Sequence, residues 1–409
     1  MRKHCMISFL CVWIASFSSA QVFLELTSDS SLKPGAVLTL SCQDKGYGDD
    51  FLSVLKSDLN YSDWMTVHTA LKDLFLNESS AKEQFPDSRF LISVIFQGKA
   101  VEARVWDLSK GEICYFGKHS SEGKSARIFA HEVNDAIILA LTGRPGIASS
   151  SIIFAEKSSG KYGLVLVDSD GRNPRTIFSG EFLVNYPRWF PGKEKVLFLS
   201  YRNGYPRLES LNIRTKACEV ILSEPGLNAC ASFFQKSEKI AVVLSKSGNP
   251  EIYLVNFQGK ILSQLTEHPA VDASPSVSPD DAVIAFVSDR DGRTRLWRMN
   301  SSGYGVRKIG TPGSYLTTPA WSPDGKLLAY ASRRGSSVVI EVYDFKTGAT
   351  RILTKGFYWC EAPSWAPDSR HIAFTRVEKG EKSVWVVDVG TLSTRRISAR
   401  GANPSWSMR

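Results

Sequence analysis

From residue 151 onward, apolar residues come in short runs separated by turn chemistry, and the arrangement recurs. Ser274 to Ser278 opens one unit and Pro279-Asp280-Asp281 turns. Ile284-Ala285-Phe286-Val287-Ser288 is an apolar run fit for a buried strand. Asp289-Arg290-Asp291-Gly292 then predicts a hairpin, because Asp-Gly tolerates the positive φ of tight primed turns. Leu296-Trp297-Arg298-Met299 and the more polar Val306-Arg307-Lys308-Ile309 supply two further strands. No stretch after residue 150 has helical apolar spacing of useful length, which excludes helical solenoids.

Each unit is anchored by one motif. It is complete as Pro319-Ala320-Trp321-Ser322-Pro323-Asp324 and recurs at Pro363-Ser364-Trp365, Pro275-Ser276-Val277 and Pro187-Arg188-Trp189. Ala231-Ser232-Phe233 is a degenerate copy and Pro404-Ser405-Trp406 a truncated one. The third residues fall at 189, 233, 277, 321, 365 and 406. Four strands in about 40–45 residues is the size of one β-propeller blade.

The chain ends complete each other. Ser151 to Ala155, Leu164 to Val167 and Arg175 to Phe178 read as second, third and fourth strands lacking a first. After the last full unit, Asn403 to Trp406 is a first strand alone. A blade assembled from both fragments closes the ring without an open edge. The expectation is an all-β six-bladed β-propeller with a composite closing blade over residues 149–409.

Residues 21–148 have a different texture and predict an α/β domain. Val22 to Leu26 and Ala36 to Leu40 read as strands, and Phe51 to Leu59 as helix. Phe90 to Phe96 and Val101 to Trp106 form a hairpin across Gln97-Gly98-Lys99. A helix over Ser125–Leu141 carries Phe129, Val133, Ile137 and Leu141 on one face and stops at Gly143 and Pro145. Before all this, Arg2, Lys3 and His4, the apolar Cys5 to Phe17 and the small Ser18-Ser19-Ala20 predict a cleaved signal peptide, residues 1–20. That stretch is short for a transmembrane helix, so the expected location in a bacterium is the periplasm.

Charge and cysteines add little. The formal charge of +9 is scattered, never a basic block, which reads as a solvated surface and not a nucleic-acid interface. Beyond the signal lie Cys42, Cys114, Cys218, Cys230 and Cys360, with no CxxC pair. An oxidising compartment permits a Cys218–Cys230 bridge, but buried free thiols are the expectation.

The chemical motifs read as structural. Gly123-Lys124-Ser125 imitates a phosphate loop, but Gly117 is six positions before Gly123 and not five, so a helix-capping loop is expected. His131 sits one turn from Asp135 on the long helix, a pairing expected to be structural. Asp168-Ser169-Asp170-Gly171 resembles a calcium loop without its closing Glu. No constellation for catalysis, metal or cofactor emerges. Geometry remains: residues just before each anchor should crowd one mouth of the channel. These include Asn185, Asn228, Cys230, Asp272, Ala273, Thr317, Glu361 and Asn403, with Asp272 and Glu361 the obvious ligands for a channel cation.

Arg127-x-x-x-His131-x-x-x-Asp135, followed by Leu141-Thr142-Gly143-x-x-Gly146, together with the repeat and the order of domains, resembles the TolB family of periplasmic propellers in the Tol-Pal envelope system. The resemblance runs along essentially the whole chain. It implies a non-enzymatic, monomeric scaffold without cofactor, serving outer-membrane integrity and constriction during cell division. It implies binding of the peptidoglycan-associated lipoprotein (Pal) at the channel mouth, by position through Leu227, Asn228, Cys230, Asp272 and Ala273. The family's N-terminus docks on the inner-membrane protein TolA; the matching stretch is Gln21 to Lys33, beginning Gln21, Val22, Phe23 and Leu24. The alternative is a propeller lid or regulatory subunit of a periplasmic hydrolase.

Overall fold

The computed structural model describes residues 33–69, 78–192, 194–313 and 315–408. The expected signal peptide, the strand at Val22 to Leu26 and the N-terminal docking residues Gln21, Val22, Phe23 and Leu24 lie outside the described residues.

The first region is a five-stranded mixed sheet in the order β2-β1-β3-β4-β5: β1 Gly35–Ser41, β2 Thr66–Thr69, β3 Ser88–Gln97, β4 Ala100–Asp107 and β5 Glu112–Ser120. Strand periodicity sorts its side chains. Phe90, Ile92, Val94 and Phe96 pack with Phe51, Leu55 and Phe129 from helices α1 (Lys45–Tyr61) and α3 (Ala126–Thr142). Leu91 faces the other way, onto Ala81 of α2 (Glu78–Gln84). The loop at Gly123 is a helix cap: Ser125 Oγ accepts the Ile128 N–H at 3.4 Å, and Gly143 at φ 67° ends α3.

The propeller strands form antiparallel groups of four. Four of these are separate sheets. A further two are joined into one eight-stranded sheet by the single parallel pair Val338↔Trp359. The closing group pairs Ala402–Trp406 with Ser151–Ser158, so both chain ends share one sheet. Each sheet is buried on both faces, which is why its second strand is a continuous apolar run. Ile284 and Phe286 pack against Ile252 and Leu254 of the preceding group, while Ala285 and Val287 pack against Leu328 and Tyr330 of the next. The same seams run round the molecule, and the last joins Ala373 and Val384 to Ile152, Phe154 and Trp406. The ring is therefore closed by the final strand.

One face of α3 and the turn after α1 bolt the α/β region to this ring. Arg127 reaches Asp168 at 2.9 Å and Asp170 at 2.8 Å, so the calcium-like loop is an arginine clamp. One turn on, His131 Nδ1 meets Asp58 of α1 at 2.6 Å. Asp135 accepts the N–H groups of Ala148 and Ser149 at 2.9 and 3.0 Å. A Cβ on Gly146 would sit 2.2 Å from Asp135 Oδ1, which explains glycine there. The spacing of four places all three side chains along one helix face.

Beside this bolt lies an ionic cluster. Buried His371 donates its Nδ1–H to Asp368 at 2.6 Å, and its Nε2 lies 3.4 Å from both Asp63 and Asp388. Arg370 pairs with Asp388 and lies over the Trp64 ring, 4.0 Å from its centroid. Lys33 pairs with Asp63. Burial opposes a charge on His371, but Asp368, Asp63 and Asp388 outweigh it and raise its pKa from 6.5 to about 9. Burial likewise opposes the Asp63 carboxylate, yet His371 and Lys33 hold its pKa well below the ordinary value.

Two outcomes follow from closure and clamp. Trp406→Ala removes a buried ring whose Nε1 bonds Ser150 Oγ at 2.7 Å. It should cost about 3–5 kcal/mol in urea unfolding; a loss under about 1 kcal/mol would mean that the last strand does not hold the ring. The His371 contribution is fully present below its ordinary pKa and lost as pH rises through about 9. The melting temperature should therefore fall more steeply between about pH 7 and about pH 10 in the wild type than in His371→Gln; parallel profiles would contradict the linkage.

Candidate functional site

The innermost strands are Val184–Trp189, Asn228–Phe233, Asp272–Val277, Leu316–Trp321, Trp359–Trp365 and Ala402–Trp406. Each breaks register with its neighbour at one place. There the chain holds Tyr186, Cys230, Ser274, Thr318, Ala362 and Asn403 at φ between 49° and 54°. These are β-bulges in left-handed conformation without glycine, at about 1–2 kcal/mol each. The bulge re-aims the strand, so the residues before and after it serve different purposes.

The expected mouth residues lie before the bulge, except Cys230 and Asn403, which are bulge residues themselves. Asp272 is 0% exposed, with one carboxylate oxygen 2.6 Å from Arg290. Asn228, also 0% exposed, donates to the carbonyls of Pro206, Glu224 and Gly226. Asn403 is buried and bonds Asn185 at 2.6 Å. These three are buried and hold the loops between groups, where the motif places them at an open mouth. Glu361 is bound by Lys382 at 2.9 Å and Trp359 Nε1 at 3.1 Å, so neither acid is a free cation ligand. Asn185, Leu227, Cys230, Ala273 and Thr317 are partly exposed.

What the motif-based reading missed is the apolar rim around them. Leu183, Val271, Tyr315, Tyr358 and Trp359 immediately precede or begin innermost strands, and all are exposed. Tyr205 joins them from the following hairpin, because Ser200 pairs with Val184 at that same end. Tyr205 is 77% and Tyr358 62% exposed. Large aromatics inside turn segments such as Asn203-Gly204-Tyr205-Pro206 are the signal that would have found them. The α/β region grips the opposite end, through residues 366–371, which follow the innermost strand Trp359–Trp365, and 388–395, which follow the third strand Glu381–Asp388 of the same group and run out at the same end. The apolar rim is thus at the end of the channel away from that region.

A cavity of about 210 Å³ occupies the channel. It is lined by bulge and post-bulge residues, including Tyr186, Arg188, Ser276 and Thr318, and of the mouth set only Cys230 reaches it. The seams above it are pinned by repeat hydrogen bonds: Ser232, Ser276 and Ser364 hydroxyls accept the N–H groups of Val277, Trp321 and Trp406 at 3.0, 3.1 and 2.9 Å. Trp365 and Trp189 donate Nε1–H to the carbonyls of Ala320 and Ser405.

Among the described residues one acid and histidine group, Asp63, His371 and Asp388, brings its ligand atoms within 4.8 Å. Lys33 and Arg370 already neutralise it, which makes it an ion-pair junction. The five described cysteines are free thiols, but against the expectation only Cys360 is buried and Cys218 is exposed. Partial desolvation and the Glu209 carboxylate to which it donates push Cys218 up to about 12, so it is a poor nucleophile. No helix among the described residues is long and apolar enough to cross a membrane.

Comparison with known proteins agrees with this architecture. The Tol-Pal system protein TolB of Paramagnetospirillum magneticum is 30% identical over 203 residues, 46% of this chain and 45% of that protein. TolB of Methylobacillus flagellatus is 30% identical over 150 residues, 37% of this chain and 31% of that protein. The chain thus spans less than half the length of these curated relatives. The crystal structure of TolB from Acinetobacter baumannii shares the fold, with a TM-score of 0.81 at 23% identity, covering 92% of this chain and 97% of that one. Residues 139–409 match the family model described as TolB beta propeller domain. With two thirds of its length inside that model and an α/β region before it, the chain belongs to the TolB β-propeller family.

Proposed function

We propose that this protein is a non-enzymatic periplasmic scaffold of the Tol-Pal system that binds Pal at the mouth of its propeller channel and links it to TolA. In this reading residues 1–20 are a cleaved signal, 21–148 the α/β domain and 149–409 a six-bladed propeller. The segment from Gln21 is the TolA-docking element.

The observation that carries the reading is the exposed rim at the end of the channel left open by the α/β region. Exposed aromatic and aliphatic side chains grouped around a concavity mark protein interfaces more than enzyme clefts. Tyrosine and tryptophan there supply contact area with few rotors to freeze. The mouth residues Leu227, Cys230, Ala273, Thr317 and Asn185 remain partly exposed beside the innermost strands that carry this rim. The buried Asn228, Asp272 and Asn403 act from beneath by fixing the loops that carry it.

Calorimetry with the soluble domain of the same organism's Pal tests this. Tyr358→Ala and Tyr205→Ala should each weaken binding about tenfold or more, the range of an interface anchor. Tyr304→Ala should leave it unchanged: Tyr304 is 74% exposed but follows Arg295–Asn300 at the opposite end. Wild-type affinity in both rim variants would remove this face as the site.

A further inference from the structure

Position 188 departs from the repeat in one group only. The middle residue of the anchor is Ser232, Ser276, Ala320, Ser364 and Ser405 elsewhere, and Arg188 here. That position lies in the channel, so one arginine projects where the other strands place a hydroxyl or a methyl.

Its surroundings are unusual for a cation. Among the described residues Arg188 is the single charged one on the cavity lining, and none of them brings a carboxylate to it. Its one hydrogen bond among the described residues goes from Nη1 to the carbonyl of its own neighbour Pro187, at 2.9 Å. Burial pulls its pKa below the ordinary arginine value, although a guanidinium stays charged in any case. Half-buried cations are normally paired, and a guanidinium offers five donors in a planar fork suited to two oxygens.

The rest of the lining is also donor-rich. Ser276 and Ser364 each accept a backbone N–H from the next strand, which uses a lone pair and leaves the O–H free to donate. Thr318 Oγ1 is buried with no protein partner among the described residues, and Thr318 lines the same cavity. The volume of about 210 Å³ corresponds to roughly seven water molecules, room for a few heavy atoms and their solvent. Gln235, an exposed residue, also contributes to the lining.

We propose that the propeller channel is a binding site for a small organic carboxylate, held by the Arg188 guanidinium with the hydroxyls of Thr318, Ser276 and Ser364. The site is distinct from the apolar rim and rests on none of the partner assignments. The repeat itself supplies a clean variant, because Arg188→Ser restores the residue used by its neighbours.

The test is the melting temperature and tryptophan fluorescence of the protein titrated with sodium acetate against sodium chloride at fixed ionic strength. Trp189, Trp321, Trp365 and Trp406 line the cavity and report on it. The expected result is a saturable fluorescence change and a rise in melting temperature with acetate only. Both should be weakened about tenfold or more in Arg188→Ser, the loss of a charge-assisted bidentate contact. Arg188→Lys, which keeps the charge but loses the fork, should fall between the two. Identical curves in acetate and chloride, no saturable change, or wild-type affinity in either Arg188 variant would each overturn the assignment.

Discussion

A propeller sheet cannot stand alone, because both its faces are apolar and each must be covered by the next sheet. Everything else in this protein depends on the last cover being in place. Ala402–Trp406 supplies it, pairing with Ser151–Ser158 while Trp406 fills the seam between the first and last groups. The innermost strands are thereby drawn into a ring tight enough to impose a left-handed residue on each of them. Closure also gives the channel two unlike ends.

One end is committed to the α/β region. Arg127 and Asp135 on α3, and Asp63 in the buried His371 cluster, hold it there, while His131 ties α3 to α1; most of those contacts are charge-assisted. Such contacts are directional, so they fix orientation as well as attachment. The other end keeps an apolar rim beside small and polar side chains. Between them, Arg188 makes the channel positive, while Asp272 and Glu361, the obvious ligands for a channel cation, are both engaged elsewhere. Both of those acids are neutralised within their own loops.

The architecture was legible because each sheet repeats one motif and buries both faces, leaving apolar runs at even spacing. The composite closing sheet was legible for the same reason: its two fragments are complementary pieces of that unit. Helix α1 begins at Lys45 where the sequence predicts only Phe51–Leu59, because Gly46, Gly48, Asp49 and Asp50 give its first turns poor helix propensity and only the Asp44 cap reveals them. The site was only half legible. Position in the repeat located the mouth, but the bulge reverses which side chains face out. Asp272 and Asn228 turn into the protein, and the Arg290 that pairs with Asp272 comes from across a hairpin. The rim aromatics sit in turns, outside any motif, and only their exposure distinguishes them from core.

The central claim is that the free end of the channel is the partner-binding face. Hydrogen exchange of the protein with and without the soluble domain of Pal measures it most directly, since amide protection reports which loops are covered. The account predicts new protection in the segments before the innermost strands, residues 181–184, 267–271 and 356–359, and in the hairpin at 201–206. Protection confined to residues 366–371 and 388–395, or none at any loop of the ring, would contradict it.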